Sequence, residues 1–555
     1  MRRLPFYHKV ESGGMNFSRQ KENFSLFLLF TYIFLLIIFF SVILLRLFQL
    51  TISKGSYYRR LSDNNRIREI TIEAKRGKII DRKGLVLAEN QPVEIEQNQE
   101  RLLSKRNYYQ SQVNGHLIGY RQLADEKDLK NDLCQNKIKP GDKVGKKGVE
   151  QIFDCELRGK NGKKLIEVNA NGSFLKLVTV IPAVDGKTIP LAIDSDLQKK
   201  AYELIKGKKA AVIGLKTKTG EVLVFASSPS FNPQAFEDKN SFVENYLADK
   251  EKPLFDRVTE AAYPPGSIFK LVVATAALEE KAIDEKTVFE DTGKIKAGPL
   301  EFGNWYFLQY GKTEGLVNIT KAIQRSNDIF FYKTGERIGP EKIKYWSEKF
   351  GLGKKSDFPF DQTEGNIPSP FWKEEVLKEQ WYLGDTYNLS IGQGYILTSP
   401  LQMALVTSVF ANDGYFCQPQ LLKSSKPKCQ KIGISKKTLD LIKNGMEEAC
   451  ANGGTGWPFF EFKISQSQSK SVKSEKTDST DLNNSTDSTI KVACKTGTAE
   501  LHATSGLPHA WFTAYAPAKN PEITLLVMVE EGGQGSDIAG PIAKEILKTY
   551  FERTQ

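Results

Sequence analysis

At 555 residues the chain is long enough for about two to four domains, each with its own hydrophobic core. Its apolar fraction of 40% and charged fraction of 26% are ordinary globular proportions and exclude disorder along the whole length. A net charge of +12 fits anionic lipid, an anionic polymer or a lysine-rich solvated surface. No zinc finger, RNA-binding signature or aromatic-basic stripe accompanies it, so no nucleic-acid partner is expected.

The first element in chain order is Phe24 to Leu45 (FSLFLLFTYIFLLIIFFSVILL), which contains no charge. A bilayer-spanning helix needs about 20 such residues. Arg46 and Gln49 follow it instead of a small-residue cleavage site, so the segment reads as an uncleaved anchor. Basic residues flank it on both sides, with Arg2, Arg3, Lys9, Arg19 and Lys21 before and Arg46, Lys54, Arg59, Arg60 and Arg66 after. The positive-inside rule therefore does not choose an orientation. The length asymmetry assigns 1–23 as a short cytoplasmic tail.

Tyr57 to Asn65 reads as helical. The segment from Arg68 to Asn90 alternates like strands, with hairpin signals at Arg76-Gly77 and Lys83-Gly84. Residues 91–145 are polar and lysine-rich. A strand-rich block begins at Thr188–Ile193, with further strands at Ala210–Leu215 and Glu221–Ser227 joined by a turn at Thr217–Gly220. From Ser267 onward the spacing becomes helical, as in IFKLVVATAALEE. Residues 463–489 are almost entirely Ser, Thr, Lys, Asp, Gln and Asn, too little apolar surface to offset the cost of ordering, and read as a disordered insertion. The six cysteines form no C-x-x-C pair, and sequence alone leaves any disulfide pairing open. The four histidines are His8, His116, His502 and His509.

Three short motifs carry chemistry. Ser267-Ile-Phe-Lys270 is an S-x-x-K tetrad, whose spacing puts the amine and the hydroxyl on one helical face. A desolvated neutral lysine can take the proton that keeps a serine from being a nucleophile. Ser425…Lys428 and Ser467…Lys470 match the same pattern, but only Ser267 has a Pro-Pro-Gly turn before it and an apolar helix after it. Ser326-Asn327-Asp328 places a serine and a short polar side chain two apart on a bend, where both can point into one cleft; a helix cap is the plainer reading. Lys495-Thr496-Gly497-Thr498 follows an apolar run. On a strand, Lys495 and Gly497 share a face and the glycine admits a ligand close to the backbone. An edge strand with a surface lysine is the plainer reading there. In this order the three form the set found in penicillin-binding proteins and class A β-lactamases.

The chain thereby resembles the class B penicillin-binding proteins. RGKIIDRKGLVLAEN (76–90), HLIGY (116–120) and GKKGVEQIFDCELRGKNG (145–162) are similar to that family's pedestal signatures. AYPPGSIFK (262–270), GDTYNLSIGQG (384–394), TSPLQMA (398–404), KTGTAE (495–500) and HAWFTAYAP (509–517) are similar to its catalytic domain, in the elongation-type form. The resemblance implies an α+β fold, an antiparallel sheet flanked by helices, behind a single transmembrane helix (24–45) and a reduced α+β pedestal of the dimerisation type (46–185). The transpeptidase domain then covers 186–555. It also implies a peptidoglycan D,D-transpeptidase with Ser267 as nucleophile, Lys270 as base, and Ser326, Asp328 and Lys495 completing the catalytic set. Lys495, as a second cation, is expected to lower the Lys270 pKa. Thr496, Gly497 and Thr498 are expected to bind the substrate carboxylate, and the Ser267 and Thr498 amides to form the oxyanion hole. Stem peptides and β-lactams are the expected ligands, a separate glycosyltransferase of the elongation machinery the expected partner, and the outer face of the bacterial cytoplasmic membrane the expected place. No cofactor or metal is expected, since Lys286–Ser326 contains no His or Cys and no other cluster has metal spacing.

The competing readings are a D,D-carboxypeptidase or β-lactamase-type hydrolase, and a non-catalytic β-lactam-binding scaffold or sensor. Four features depart from the family pattern. Asp328 stands where Asn is usual, and Cys494 stands where Gly is usual, which should crowd that strand. The pedestal is short between Asn90 and His116, and the insertion 463–489 interrupts the approach to Lys495.

Overall fold

A helix with no polar face can be covered only by lipid or by another apolar surface, and Leu26–Phe48 (α1) is such a helix. It runs on through a wider turn, Gln49–Ser53, and the whole of Leu26–Ser53 is long and apolar enough to cross a membrane. The computed structural model describes residues 26–91, 101–102, 105–134, 137–169, 171–238, 242–423, 426–465, 487–500 and 506–553. They divide into two compact units: residues up to Thr71 with Lys163–Ile181, and Ile72–Gly162 with Pro182 to the C-terminus. In the first unit, α1 leads into the polar helix Gly55–Arg66, and strands Gly162–Val168 and Phe174–Ile181 pair antiparallel.

The second unit contains the expected pedestal signatures. Strands Ile79–Ile80 and Val86–Gln91 form the hairpin read at Lys83-Gly84; Asp81 Oδ1 closes its turn by accepting from the Lys83 and Leu85 amides, both at 2.8 Å. The hairpin read at Arg76-Gly77 is not formed. Arg76 is buried instead and pairs with Glu150 (2.5 Å) and Asp154 (2.8 Å), with Arg106 on the other oxygen of Glu150 at 2.8 Å. The block read as strand at Thr188–Ile193 pairs in parallel with Ile79–Ile80 at Ile189–Pro190 and bridges Leu422 at Leu191, outside the five-stranded sheet. Pro190 has no amide to donate, so it suits a strand end.

The catalytic sheet has five antiparallel strands: β1 (Ala210–Lys216), β2 (Val222–Ser228), β3 (Ala493–Ala499), β4 (His509–Ala516) and β5 (Ile523–Val529), in the spatial order β2-β1-β5-β4-β3. Its strands are buried almost throughout because both faces are covered. Ala211, Ile213, Leu215, Trp511, Leu526 and Met528 face one core with Lys270–Glu279 (α2) and other helices. Val212, Phe512, Leu525 and Val527 face a second core with the helix Ser195–Ile205 and the C-terminal helix. This period-two split turns alternate residues of β3 toward opposite sides. Three disulfides brace the unit, Cys134–Cys155, Cys417–Cys429 and Cys450–Cys494.

At the expected insertion, Lys463–Ser465 and Asp487–Thr489 pair as a short antiparallel ladder, so its two ends are strands. Residues 466–486 lie outside the described residues, as do His8, His502, Ser425, Ser467 and Lys470.

Candidate active site

Ser267 stands in a 3₁₀ turn, Gly266–Phe269, and α2 begins only at Lys270. The sequence expectation of an α-helix start is adjusted by Gly266, whose φ of +56° cannot begin an α-helix, and by the two prolines before it. The tighter turn serves the tetrad well. Side chains at i and i+3 eclipse in a 3₁₀ helix, and the Lys270 amide donates to the Ser267 carbonyl. Lys270 is fully buried while Ser267 stays half-exposed beside the edge strand.

Ser326 and Asp328 reach the same spot through a bend between two helices. Ile319–Arg325 (α3) ends at Ser326 in the left-handed region, with φ 54°. The next helix, Asp328–Lys349 (α4), is capped by Asn327, whose side chain accepts from the Phe330 amide at 2.9 Å. Both readings of this motif are therefore realised: Asn327 caps, and its two neighbours point into the cleft. The Lys270 amine donates to Asp328 Oδ1 at 2.6 Å, to the Ser326 carbonyl at 2.8 Å and to Ser326 Oγ at 3.4 Å. Lys495 on β3 donates to the same Ser326 Oγ at 2.8 Å. One hydroxyl thus bridges two buried amines.

Burial pushes both amines below the ordinary lysine range. For Lys270 the Asp328 carboxylate opposes that shift. For Lys495, which lies well below the ordinary value, the Lys270 charge adds to it. The carboxylate lies against Lys270 and works against the lowering that the sequence expects there.

On β3, Lys495 and Gly497 face the Ser267 turn; a Cβ on Gly497 would lie 3.1 Å from Ile268 Cγ2. Cys494 and Thr496 face the other way. Cys494 does not crowd the strand, whose pairing with β4 runs unbroken from Ala493 to Ala499. Its sulfur lies on the face opposite Lys495 and is bonded to Cys450, just past the end of Lys436–Ala449 (α5). The turn after Cys450 lies so close that a Cβ on Gly456 would stand 2.5 Å from Cys494 Sγ. That places Thr455, where Thr496 Oγ1 donates to its hydroxyl at 2.8 Å. Thr498 is half-exposed, and its carbonyl accepts from Gln393 Nε2 at 3.3 Å.

Several supporting residues carry no sequence signal. Asp291 Oδ2 accepts from both Asn327 Nδ2 (2.9 Å) and Asn304 Nδ2 (2.8 Å), and Asp328 Oδ2 accepts from the Trp305 amide at 2.9 Å. These partners come from a hairpin region distant in sequence. His509 packs in its strand as expected, accepting at Nδ1 from the Glu531 amide. Of the rival tetrads, Lys428 is exposed and pairs with Asp357 at 2.7 Å.

A family model described as the penicillin binding protein transpeptidase domain matches residues 210–548, and one described as the penicillin-binding protein dimerisation domain matches residues 94–191. The peptidoglycan D,D-transpeptidase MrdA of Haemophilus influenzae is 31% identical over 490 residues, covering 81% of this chain and 70% of the relative. MrdA of Escherichia coli K12 is 29% identical over 477 residues, covering 80% and 71%. Among solved structures, PBP2 of Pseudomonas aeruginosa in complex with WCK 5153 superposes with a TM-score of 0.72 at 28% identity, covering 87% of this chain and 96% of that one. PBP2 of Helicobacter pylori, in a complex with MreC, gives a TM-score of 0.73 at 26% identity, covering 88% and 99%. The match to the transpeptidase model runs over most of the chain and contains the bridged amines and the Ser267 turn, so the chain belongs to the penicillin-binding protein transpeptidase family.

Proposed function

We infer that the chain is an elongation-type peptidoglycan D,D-transpeptidase that works through an acyl-enzyme on Ser267. The observation that carries the reading is the buried Lys270–Ser326–Lys495 relay one turn from a half-exposed serine. A neutral Lys270 takes the Ser267 proton as Oγ attacks the carbonyl of the penultimate D-alanine. The C–N bond to the terminal D-alanine breaks, and that amine leaves with a proton delivered through Ser326 and Lys495. A neighbouring stem's amine then attacks the ester, forming an amide and returning a proton to Ser267 Oγ. The amides of Ser267 and Thr498 stabilise the developing oxyanion, each donor being worth about 10²–10³-fold in rate. Thr498 and Thr496 take the substrate carboxylate, Thr496 held by Thr455.

A β-lactam meets the same nucleophile, but its leaving amine stays tethered, so the ester persists. The domain reading has α1 as the anchor, a pedestal over 46–185 and the transpeptidase domain from 186, on the outer side of the cytoplasmic membrane. A separate glycosyltransferase supplies the strands, and an MreC-type protein is a second partner, supported by the Helicobacter pylori neighbour. Mass spectrometry of the chain after penicillin treatment tests the mechanism. One adduct mapped to Ser267, and lost in folded Ser267→Ala, is expected. Labelling that survives this substitution, or that maps to Ser425 or Ser467, sinks it.

A further inference from the structure

Asp328 is gripped at both ends by a dipeptide that lies outside the three motifs. Its backbone amide donates to Asn304 Oδ1 at 3.1 Å, and its Oδ2 accepts from the Trp305 amide at 2.9 Å. That leaves Oδ1 for Lys270. Asn304 is itself buried and held twice more, by its amide on the Gly293 carbonyl and by its Nδ2 on Asp291 Oδ2, both at 2.8 Å. Asp291 closes the strand Val288–Asp291 and is only 3% exposed. Four N–H groups converge on it. Oδ1 accepts from the Gly293 amide, and Oδ2 from Asn304 Nδ2, Asn327 Nδ2 and the Glu314 amide, at 2.8 to 2.9 Å.

All four donors are neutral amides, and only an acceptor-only side chain serves them together; an asparagine there would turn an N–H against an N–H. A buried carboxylate is costly unless it is hydrogen-bonded in this way. One oxygen thus fixes two asparagines that arrive from different segments. Asn327 sits between Ser326 and Asp328, at a bend where Ser326 holds a φ of 54° that a residue with a Cβ seldom adopts. Asn304 sets the Asp328 amide. We propose that Asp291 is a positioning residue for the Ser267 chemistry, orienting Asn327 and Asn304 so that Asp328 gives one oxygen to Lys270 and Ser326 places its hydroxyl between Lys270 and Lys495. This rests on the transpeptidase reading above and deepens it. The charged groups facing Lys270 are Asp328 on α4 and Lys495 on β3. Tyr332, one turn beyond Asp328, stays neutral because burial pushes its hydroxyl up.

The test is stopped-flow acylation of the full chain in detergent by a fluorescent penicillin across pH, each variant first shown folded by near-ultraviolet circular dichroism. Asp291→Asn keeps the side chain's size. It lowers the plateau rate roughly ten- to a hundredfold, the order of a small misplacement of reacting groups, and moves the acid limb to lower pH as Lys270 loses its carboxylate. Asn304→Ala removes no charge and makes the same two changes. It carries the test alone, and in its own double variant with Asp328→Asn, should Asp291→Asn not fold. In the double variant Asp291→Asn with Asp328→Asn, the limb stays where Asp328→Asn alone puts it, because the two residues act in series. A further shift in either double variant, or an unmoved limb in folded Asn304→Ala, overturns the proposal by showing that Asp291 acts through space or not on Asp328. So does a folded Asp291→Asn with the parent's rate and limb. A parent chain that forms no adduct at Ser267 overturns the transpeptidase reading beneath it instead.

Discussion

Two amines removed from water and joined by one hydroxyl do not both keep a proton cheaply, and a carboxylate lies 2.6 Å from one of them, Lys270. On the proposed mechanism Lys270 is a base only when unprotonated, so acylation is expected to rise with pH through a midpoint below the ordinary lysine value of 10.5. Asp328 holds that midpoint up. Asp328→Asn removes the charge while keeping an oxygen for the Trp305 amide, and the acid limb of the acylation profile therefore moves to lower pH. Stopped-flow acylation by a fluorescent penicillin across pH reads this directly; an unmoved limb, or one moved upward, contradicts the electrostatics. Thr455 gives a second residue-scale expectation. Thr455→Val strips the partner from the Thr496 hydroxyl and raises the substrate KM more than it lowers kcat, whereas Thr455→Ser preserves both. Equal losses in both variants contradict a positioning role.

Between elements, two cross-braces stand out. Burial pushes Glu150 up, but Arg106, Arg76 and Arg121 outweigh it and hold the carboxyl at about 2. A carboxylate with a depressed folded pKa stabilises fully above its unfolded value of 4.5 and loses that contribution as pH falls toward about 2. Unfolding of the parent by urea from pH 6 to pH 2.5 shows this acid-side loss, while Glu150→Ala costs about 3–5 kcal/mol at neutral pH by stranding buried guanidiniums. A cost below about 1 kcal/mol in chemical denaturation is the contrary result. The second brace is Cys450–Cys494, at a sequence separation of 44. Its loss in the double alanine variant costs about 4 kcal/mol by loop entropy. Replacing 466–486 by a short Gly-Ser turn leaves penicillin acylation within about twofold, since each doubling of loop length changes closure by only about 0.6 kcal/mol.

For the whole molecule, what the chain shows in sequence depends on how local the cause is. The strands β1 and β2, the anchor helix and the three motifs are read from adjacent residues, because periodicity, turn chemistry and i,i+3 spacing act over a few positions. Arg76-Gly77 misleads, since a glycine marks a close approach as often as a hairpin, and the buried partner Glu150 is 74 positions away. Asp291 and Asn304 hold the Asn327 bend across 36 and 24 positions, and nothing local announces them. That Asp328 lies against Lys270 and so opposes the lowering of its pKa also needed the fold. At this scale the anchor should be separable from the chemistry. A chain beginning after Ser53 is expected to stay soluble without detergent and to acylate at the parent rate; loss of labelling in a folded truncation contradicts it.

The bond between Cys450 and Cys494 also closes a covalent ring that contains every residue of the 466–486 segment. A protease that cuts the backbone anywhere inside that ring produces two polypeptides but not two molecules. The fragment carrying Lys495 stays tied to the fragment carrying Ser267 and Ser326, so the nicked protein keeps its full mass on a non-reducing gel and separates only after thiol treatment. Under oxidising conditions the active centre can therefore outlive cleavage of its own chain.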